Sequence, residues 1–192
     1  MCLHHICSWE TQMNENKVFA QLRGDIFMKM VHADGSVETR ECENIIVDVA
    51  SQLMAVLMSR DGTVDRPYVS GALVLAVGTG DSGWDLQNPP AATGAQEFLF
   101  NELDRNVFND VTFVDPITFV PSSDQYADRT KVVEFTTTFG DSEAVGPLVE
   151  MGLFGGTGAT GANSGIMINY KTFKVWNKPA GSTFTITWRL TF

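Results

Sequence analysis

The sequence predicts a mainly β protein, an antiparallel β-sandwich of jelly-roll-like form with one substantial helix and long glycine-rich loops. Short runs of apolar or alternating residues are separated by turn signals, which is the pattern of a sandwich. These runs do not alternate with helices, so a doubly wound α/β fold is disfavoured. Only 19% of the residues are charged, below the roughly 25% of an average soluble protein, while glycine and threonine are abundant. That composition suits strands and loops.

The chain of 192 residues is long enough for one domain with a proper core. We assign residues 17–192 to a single sandwich domain. Residues 1–16 show no periodicity, and we interpret them as an N-terminal arm or disordered leader, or as an upstream start-codon misassignment, since Met13 would itself serve as a start. They lack the basic and apolar regions of a secretory signal, so we expect synthesis in a reducing cytoplasm.

The fold should begin with a β-hairpin. Residues 26–31 form an apolar run, and the Asp34-Gly35 pair that follows supplies the positive φ angles of a tight turn. Residues 37–40 are the predicted return strand.

Residues 44–58 form the best helix candidate. Asn44 is a suitable N-cap, and apolar residues recur at three- and four-residue steps on one face. The Asp61-Gly62 pair ends the pattern. The apolar positions are Ile46, Val49, Leu53, Val56 and Leu57.

The middle of the chain predicts a buried strand at residues 72–77, a continuous apolar run. A long loop follows over 78–95. Residues 96–103 are predicted as a short helix with Phe98, Leu99 and Leu103 on one side. Beyond it the patterns indicate strands at 107–113, 133–139 and 148–154 and one or two strands over 166–176, with a flexible glycine-rich connection at 155–165.

The final segment gives the clearest strand pattern. Large apolar residues alternate with threonines and one arginine, which is typical of a strand with one buried face. The predicted core positions are Phe184, Ile186, Trp188, Leu190 and Phe192.

The charge balance excludes several classes of partner. Thirteen basic residues stand against 23 acidic ones, a net charge of −10, and no basic stripe of the kind that neutralises phosphates is present. We therefore expect no nucleic acid and no anionic membrane as partner. The sequence also has no apolar stretch near the ~18 residues of a membrane span.

No catalytic set is predicted, and we expect the protein not to be an enzyme. The Gly80-Asp81-Ser82-Gly83 tetrapeptide is similar to the serine motif of chymotrypsin-type proteases, but a nucleophilic serine needs an oriented histidine base. The chain has only His4, His5 and His32. We interpret the tetrapeptide as a turn after a strand.

No metal or cofactor is predicted either. Cys2, His4, His5 and Cys7 lie within one hexapeptide, without the second ligand cluster of a zinc site. An intersubunit disulfide from Cys2 or Cys7 is the alternative role for these thiols. The glycine-rich segment 155–165 lacks the lysine of a P-loop.

Four residues are candidate partner contacts: Trp84, Asp85, Gly158 and Gly161. Trp84 is either an anchor tucked into the body or a contact to a partner. With Asp85, Gln87 and Asn88 it would also make a sugar-binding patch, since sugars are held by aromatic rings flanked by carboxylates and amides. Two charged pairs, Asp104 with Arg105 and Asp141 with Glu143, are predicted as ordinary surface charges.

The order of these features over residues 18–192 resembles that of small structural proteins of tailed bacteriophages, the tail and virion proteins. The resemblance covers the opening strand pair, Asn44-Ile45-Ile46-Val47, a glycine-ended strand with its Pro/Ala/Thr loop, and the closing strand. The further matching segments are Leu75-Ala76-Val77-Gly78-Thr79-Gly80, Asn101-Glu102-Leu103-Asp104-Arg105, Phe135-Thr136-Thr137-Thr138-Phe139-Gly140 and Glu150-Met151-Gly152-Leu153-Phe154.

This resemblance implies a non-enzymatic structural protein, a repeated subunit of the tail or baseplate. The alternatives are a capsid decoration (cement) protein that stabilises the shell, and a carbohydrate- or receptor-binding module. The implied partners are copies of the chain itself, as a homo-oligomer within the particle, and other virion proteins. The implied location is the virion, after synthesis in the host bacterial cytoplasm.

Overall fold

The computed structural model describes residues 23–47, 50, 73–114, 132–156 and 158–191. Within these residues, ten strands form two five-stranded antiparallel sheets, which confirms the predicted β class. The strands are β1 (Arg23–Val31), β2 (Val37–Glu43), β3 (Ile45–Ile46), β4 (Val74–Gly78), β5 (Glu102–Val107), β6 (Asp110–Val114), β7 (Val132–Phe139), β8 (Gly146–Gly155), β9 (Ile166–Lys178) and β10 (Thr183–Thr191).

The two sheets combine strands from both ends of the chain. Sheet 1 has the order β2-β1-β10-β7-β6 and sheet 2 the order β3-β9-β8-β4-β5. Early strands pair with late ones, β1 with β10, β3 with β9 and β4 with β8. This nested pairing ties the first described strand to the last.

The main core lies between the two sheets. On β10, the side chains of Phe184, Ile186, Trp188 and Leu190 are buried while the intervening residues are half-buried. They form one hydrophobic cluster with residues of sheet 2, so the sheets pack face to face as a sandwich. Phe192, the fifth predicted core position, lies outside the described residues. The sheet 2 members include Leu75, Val77, Met151, Leu153 and Trp176.

Sheet 2 is covered on its other face as well. Val74 and Ala76 of β4 belong to a second buried cluster together with Leu99 and Ala159, which come from two long loops. This double burial explains why eight consecutive residues at the end of β8 are buried. The loops of this protein are therefore part of its packing.

The outer face of sheet 1 is polar and rich in threonine. The hydroxyls of Thr136 and Thr187 lie 3.0 Å apart, as do those of Thr138 and Thr185 on the same strand pair. Cross-strand threonine pairs of this kind stabilise antiparallel sheets modestly.

The predicted hairpin is confirmed, with Val31 paired to Val37 and the turn closed by a 2.9 Å bond from the His32 amide to the Ser36 carbonyl. Gly35 has φ of +82°, as the Asp-Gly turn requires.

The predicted substantial helix at 44–58 is not borne out. Ile45 and Ile46 form β3 and pair with Tyr170 and Asn169 of β9, and the Asn44 amide donates to the Gly24 carbonyl at 3.0 Å. Asn44 is therefore a strand link and no N-cap. Two adjacent β-branched residues favour a strand once a partner is at hand, and this long-range pairing overrides the local helical periodicity. Residues 48, 49 and 51–58 lie outside the described part.

The predicted short helix at 96–103 is wrong. Residues 96–101 are irregular and β5 begins at Glu102. The amides of Phe100 and Asn101 donate to the Glu150 carboxylate, so a side chain distant in sequence takes the bonds that helical carbonyls would have accepted. The predicted strand at 166–176 is confirmed as the longer β9.

Truncation of the central core ring tests the sandwich. We expect Trp188→Ala to lower the free energy of unfolding by about 3–5 kcal/mol, since a large buried ring is removed. Thr187→Ala, on the opposite face of β10, removes one hydrogen bond and should cost about 1 kcal/mol. Urea unfolding of both variants measures the difference, and equal losses would contradict the assignment of the two faces.

Candidate functional site

A long loop, residues 79–101, joins β4 to β5 and closes on itself at its base. The Thr79 amide donates to the Asn101 carbonyl at 2.9 Å, and the Asn101 side-chain amide donates to the Thr79 hydroxyl at 2.6 Å. The loop thus leaves and returns to the body at one point, as compact surface loops with functional roles often do.

A buried carboxylate, Glu150 of β8, holds both ends of this loop. Its Oε1 accepts hydrogen bonds from the amides of Gly80 at 3.1 Å and Asn101 at 2.9 Å. Its Oε2 accepts from the Phe100 amide at 3.1 Å and the Tyr170 hydroxyl at 2.8 Å. A buried carboxylate is tolerated only when its oxygens are satisfied in this way, and such charge-assisted bonds are strong.

Tyr170, on the neighbouring strand β9, is the fourth hydrogen-bond donor to Glu150. Burial, together with the adjacent Glu150 carboxylate, raises the pKa of Tyr170 above its usual value of 10.0. The phenol therefore keeps its proton and remains a donor to Glu150.

Two glycines make room for this arrangement. A Cβ at Gly78 would lie 2.6 Å from both the Asn101 carbonyl and the Glu150 Oε1. Gly80 has φ of +72°, and a Cβ there would lie 2.5 Å from the ring of Trp84. The Gly-Thr-Gly sequence that ends β4 is thus required by the close approach of Glu150, Asn101 and Trp84.

Trp84, a candidate partner contact, is anchored within the loop. Its ring is half-buried over Gly80 and packs edge-on against Phe100, with 4.8 Å between ring centroids. This supports the anchor alternative, while contact with a partner stays a prediction.

Asp85, the second candidate, is exposed and organises its own turn. Its Oδ1 accepts from the Gln87 amide at 2.9 Å and its Oδ2 from the Asn88 side chain at 3.1 Å. These two bonds, the Asn88 one first, lower the pKa of Asp85. Because the Asp85 and Asn88 side chains bond to each other, two of the proposed sugar-binding groups are already partnered.

The candidates Gly158 and Gly161 lie in the second long loop, which is pinned to the body. Both are exposed, and Gly158 has φ of +79°. The Ser164 hydroxyl donates to the carbonyls of both glycines. The Arg105 guanidinium donates to the carbonyls of Ala159 and Ser164, so the loop is held at several points.

Arg105 itself is buried, which corrects the prediction of an ordinary surface charge. Its side chain is 6% exposed and forms an ion pair with Glu102, which is 3% exposed. The guanidinium also lies 4.9 Å from the centroid of the Phe154 ring. The glycine-rich loop covers this pair, and no local sequence pattern signals that cover. Asp104 is likewise engaged, since its Oδ2 accepts from the Ala144 amide at 2.8 Å.

Ser82 lies in an exposed turn, held by a bond from the Gly83 amide to the Asp81 carboxylate at 2.8 Å. His32 is occupied elsewhere: its Nε2 lies 3.0 Å from Glu38 and its Nδ1 3.5 Å from the Ser182 hydroxyl. Ser182 is completely buried. The hydrogen-bonded side chains of Ser182, His32 and Glu38 therefore connect the β1–β2 and β9–β10 turns instead of facing a substrate.

Lys178 stabilises the same end of the sandwich and was missed by sequence reasoning. Its ammonium donates to the carbonyls of Gly140 and Ser182, each at 2.7 Å, and so joins the β7–β8 and β9–β10 turns. Burial lowers the pKa of Lys178. A lysine at the end of a strand carries no sequence signal for such a role.

Two cavities border the 79–101 loop. A small cleft of about 150 Å³ is lined by residues that include Trp84, Phe100 and Tyr170. A wider, open groove of about 480 Å³ runs between the loop and β3–β9, with Lys171 and Lys174 on its wall.

The described residues include no group of three or more His, Cys, Asp or Glu side chains placed to hold a metal ion. Cys2, His4, His5 and Cys7 fall outside this part of the chain, as does the predicted arm. Nor does any helix among the described residues have the length and apolar character needed to cross a membrane.

No protein-family model matches the sequence, and no curated protein is significantly similar to it. The site is therefore interpreted from its own geometry.

Replacing the buried carboxylate by its amide tests the loop anchor. Glu150→Gln puts an NH₂ group against amide and hydroxyl donors, so at least one buried donor loses its acceptor. We expect a loss of about 2–3 kcal/mol in the free energy of unfolding. Glu97→Gln, which removes the same charge from an exposed position of the loop, should change it little. Equal effects in urea unfolding would show that Glu150 anchors nothing.

Acid should weaken the hydrogen bonds of Glu38 with Trp176 and His32. Hydrogen bonds from Trp176, first, and then His32 lower the pKa of Glu38 below its usual 4.5. As the pH falls, Glu38 therefore takes up its proton in the unfolded chain before it does so in the folded protein. The stability that Glu38 contributes is complete above about pH 4.5. It is lost as the pH falls through the lower pKa of the folded state.

The comparison of melting temperatures for wild type and Glu38→Gln checks this. The difference should be present at neutral pH and shrink as the pH falls below about 4.5. Glu41→Gln, on the same strand, removes the same charge and serves as the control. If the two variants follow one another through the acid range, Glu38 has no special role.

Proposed function

We propose that this chain is a non-enzymatic structural subunit of a tailed bacteriophage particle, repeated in the tail or baseplate. Two things support the proposal: the resemblance of the feature order over residues 18–192 to phage tail and virion proteins, and the way the body presents its loops. The nested winding of early against late strands also fits a jelly-roll-like sandwich.

The anchoring of the 79–101 loop by Glu150 carries the proposal. Three hydrogen bonds from backbone amides of the loop to Glu150 fix its base, while Phe98 and Phe100 stay about half exposed at its end. A loop fixed before binding loses little conformational entropy when a partner docks. That property suits a subunit which makes the same contact many times in one particle.

A sugar- or receptor-binding role gains less support. In the patch around Trp84, the Asp85 carboxylate and the Asn88 side-chain amide are already engaged in hydrogen bonds within the loop. The Trp84 ring itself packs on Phe100. A capsid decoration protein would use the same kind of presented loop, so location in the particle separates it from a tail component.

Immunogold labelling of purified parent particles, with an antibody to the chain, tests the proposal. We expect label on the tail or baseplate and the intact polypeptide in the particle by mass spectrometry. Label on the shell alone would favour the decoration role. Absence of the chain from purified particles, while it is abundant in infected cells, would contradict a structural function in the virion.

A further inference from the structure

Two aromatic side chains of the 79–101 loop are about half exposed. Phe98 is 48% exposed and Phe100 53% exposed, and large aromatic rings left in water commonly mark contact sites. The large apolar side chains exposed among the described residues are Val37, Phe98, Phe100, Leu103, Val107, Val111 and Val145.

The later part of this loop is nearly free of charge in an acidic chain. Residues 86–101 contain a single charged residue, Glu97, although the whole chain carries a net charge of −10. By contrast, the edge strand β2 carries Glu38, Arg40, Glu41 and Glu43. Two copies of an acidic protein repel one another, so a contact between copies needs a surface of this uncharged kind.

A cleft opens on the same loop as the exposed Phe98. Its lining includes Gln96 and Phe100, the residues two positions before and after Phe98, as well as Trp84 and Tyr170. One loop thus carries both a half-exposed aromatic ring and a cleft with aromatic residues in its wall.

The cleft suits an apolar side chain better than a small polar ligand. Its volume of about 150 Å³ is below the ~300–1,000 Å³ typical of small-molecule sites. Three of its polar side chains are also engaged: the Tyr170 hydroxyl donates to Glu150, the Thr172 hydroxyl to the Pro90 carbonyl, and the Gln96 side chain to the Phe98 carbonyl.

We infer that Trp84 and residues 86–101 form a self-docking surface, in which Phe98 of one copy inserts into the cleft beside Trp84 and Phe100 of a second copy. A half-exposed ring and a cleft on one loop form a self-complementary patch, and a two-fold axis satisfies both contacts at once. Self-docking is a property of the isolated chain. Only the role of this contact within a phage particle rests on the proposed function.

Sedimentation velocity of the full chain over a concentration series tests the inference. We expect reversible association of the wild type, stronger at higher ionic strength because salt screens the acidic repulsion. Phe98→Asp should weaken association by about tenfold or more, since it replaces a buried ring by a charge. Ala91→Arg, at the exposed rim of the cleft, should weaken it similarly by blocking entry.

Val37→Asp is the matched control. Val37 is 52% exposed on β2, so the variant adds the same charge at an equally exposed apolar position away from the loop, and association should be unchanged. Unaltered melting temperatures and near-ultraviolet circular dichroism would show that the three variants fold.

A wild type that stays monomeric at all concentrations, or a Phe98→Asp variant that associates like the wild type, would overturn the inference. Incorporation of the variants into particles separates it from the proposed function. Loss of Phe98→Asp, but not Val37→Asp, from particles while the isolated wild type is monomeric would identify another virion protein as the occupant and overturn self-docking. Association that behaves as expected in a chain absent from particles would uphold self-docking and refute the proposed function.

Discussion

The path of the 79–101 loop depends on the hydrogen bonds of the Glu150 carboxylate. This carboxylate sits in β8, in the middle of sheet 2, and binds the amides of Gly80, Phe100 and Asn101 and the hydroxyl of Tyr170. Without these donors a buried carboxylate would cost several kcal/mol. Without the carboxylate, three amides at the base of the 79–101 loop would lose their acceptor. The buried carboxylate and the three loop amides therefore depend on one another, so the loop has one favoured path over the sheet.

The second long loop follows a similar principle with opposite charge. Arg105 reaches out of β5 to the carbonyls of Ala159 and Ser164, while Glu102 balances its charge. Both loops bury apolar side chains, Leu99 and Ala159, against the outer face of sheet 2. Glu150 under the first loop and Arg105 under the second thus hold the two loops packed against sheet 2. Side chains such as Phe98 remain exposed.

The sequence predicted those parts of the fold whose signal is local. The alternation of Phe184, Ile186 and Trp188 marks a strand with one buried face, and the Asp34-Gly35 pair marks the hairpin. The helix predicted from Asn44 onward failed because Ile45 and Ile46 pair with β9 more than a hundred residues later in the chain. Glu150 escaped notice because its partners lie 70, 50, 49 and 20 residues away. The sequence left Trp84 as either a loop anchor or a partner contact, and only the structure shows that it packs on Phe100.

Amide hydrogen exchange of the free wild-type chain measures whether the 79–101 loop is fixed before any partner binds. We expect the amides of Gly80, Phe100 and Asn101 to be protected to the same degree as those within β8, because all three donate to a buried acceptor. Exchange of these three amides at the rate of an open chain, while β8 stays protected, would contradict this expectation.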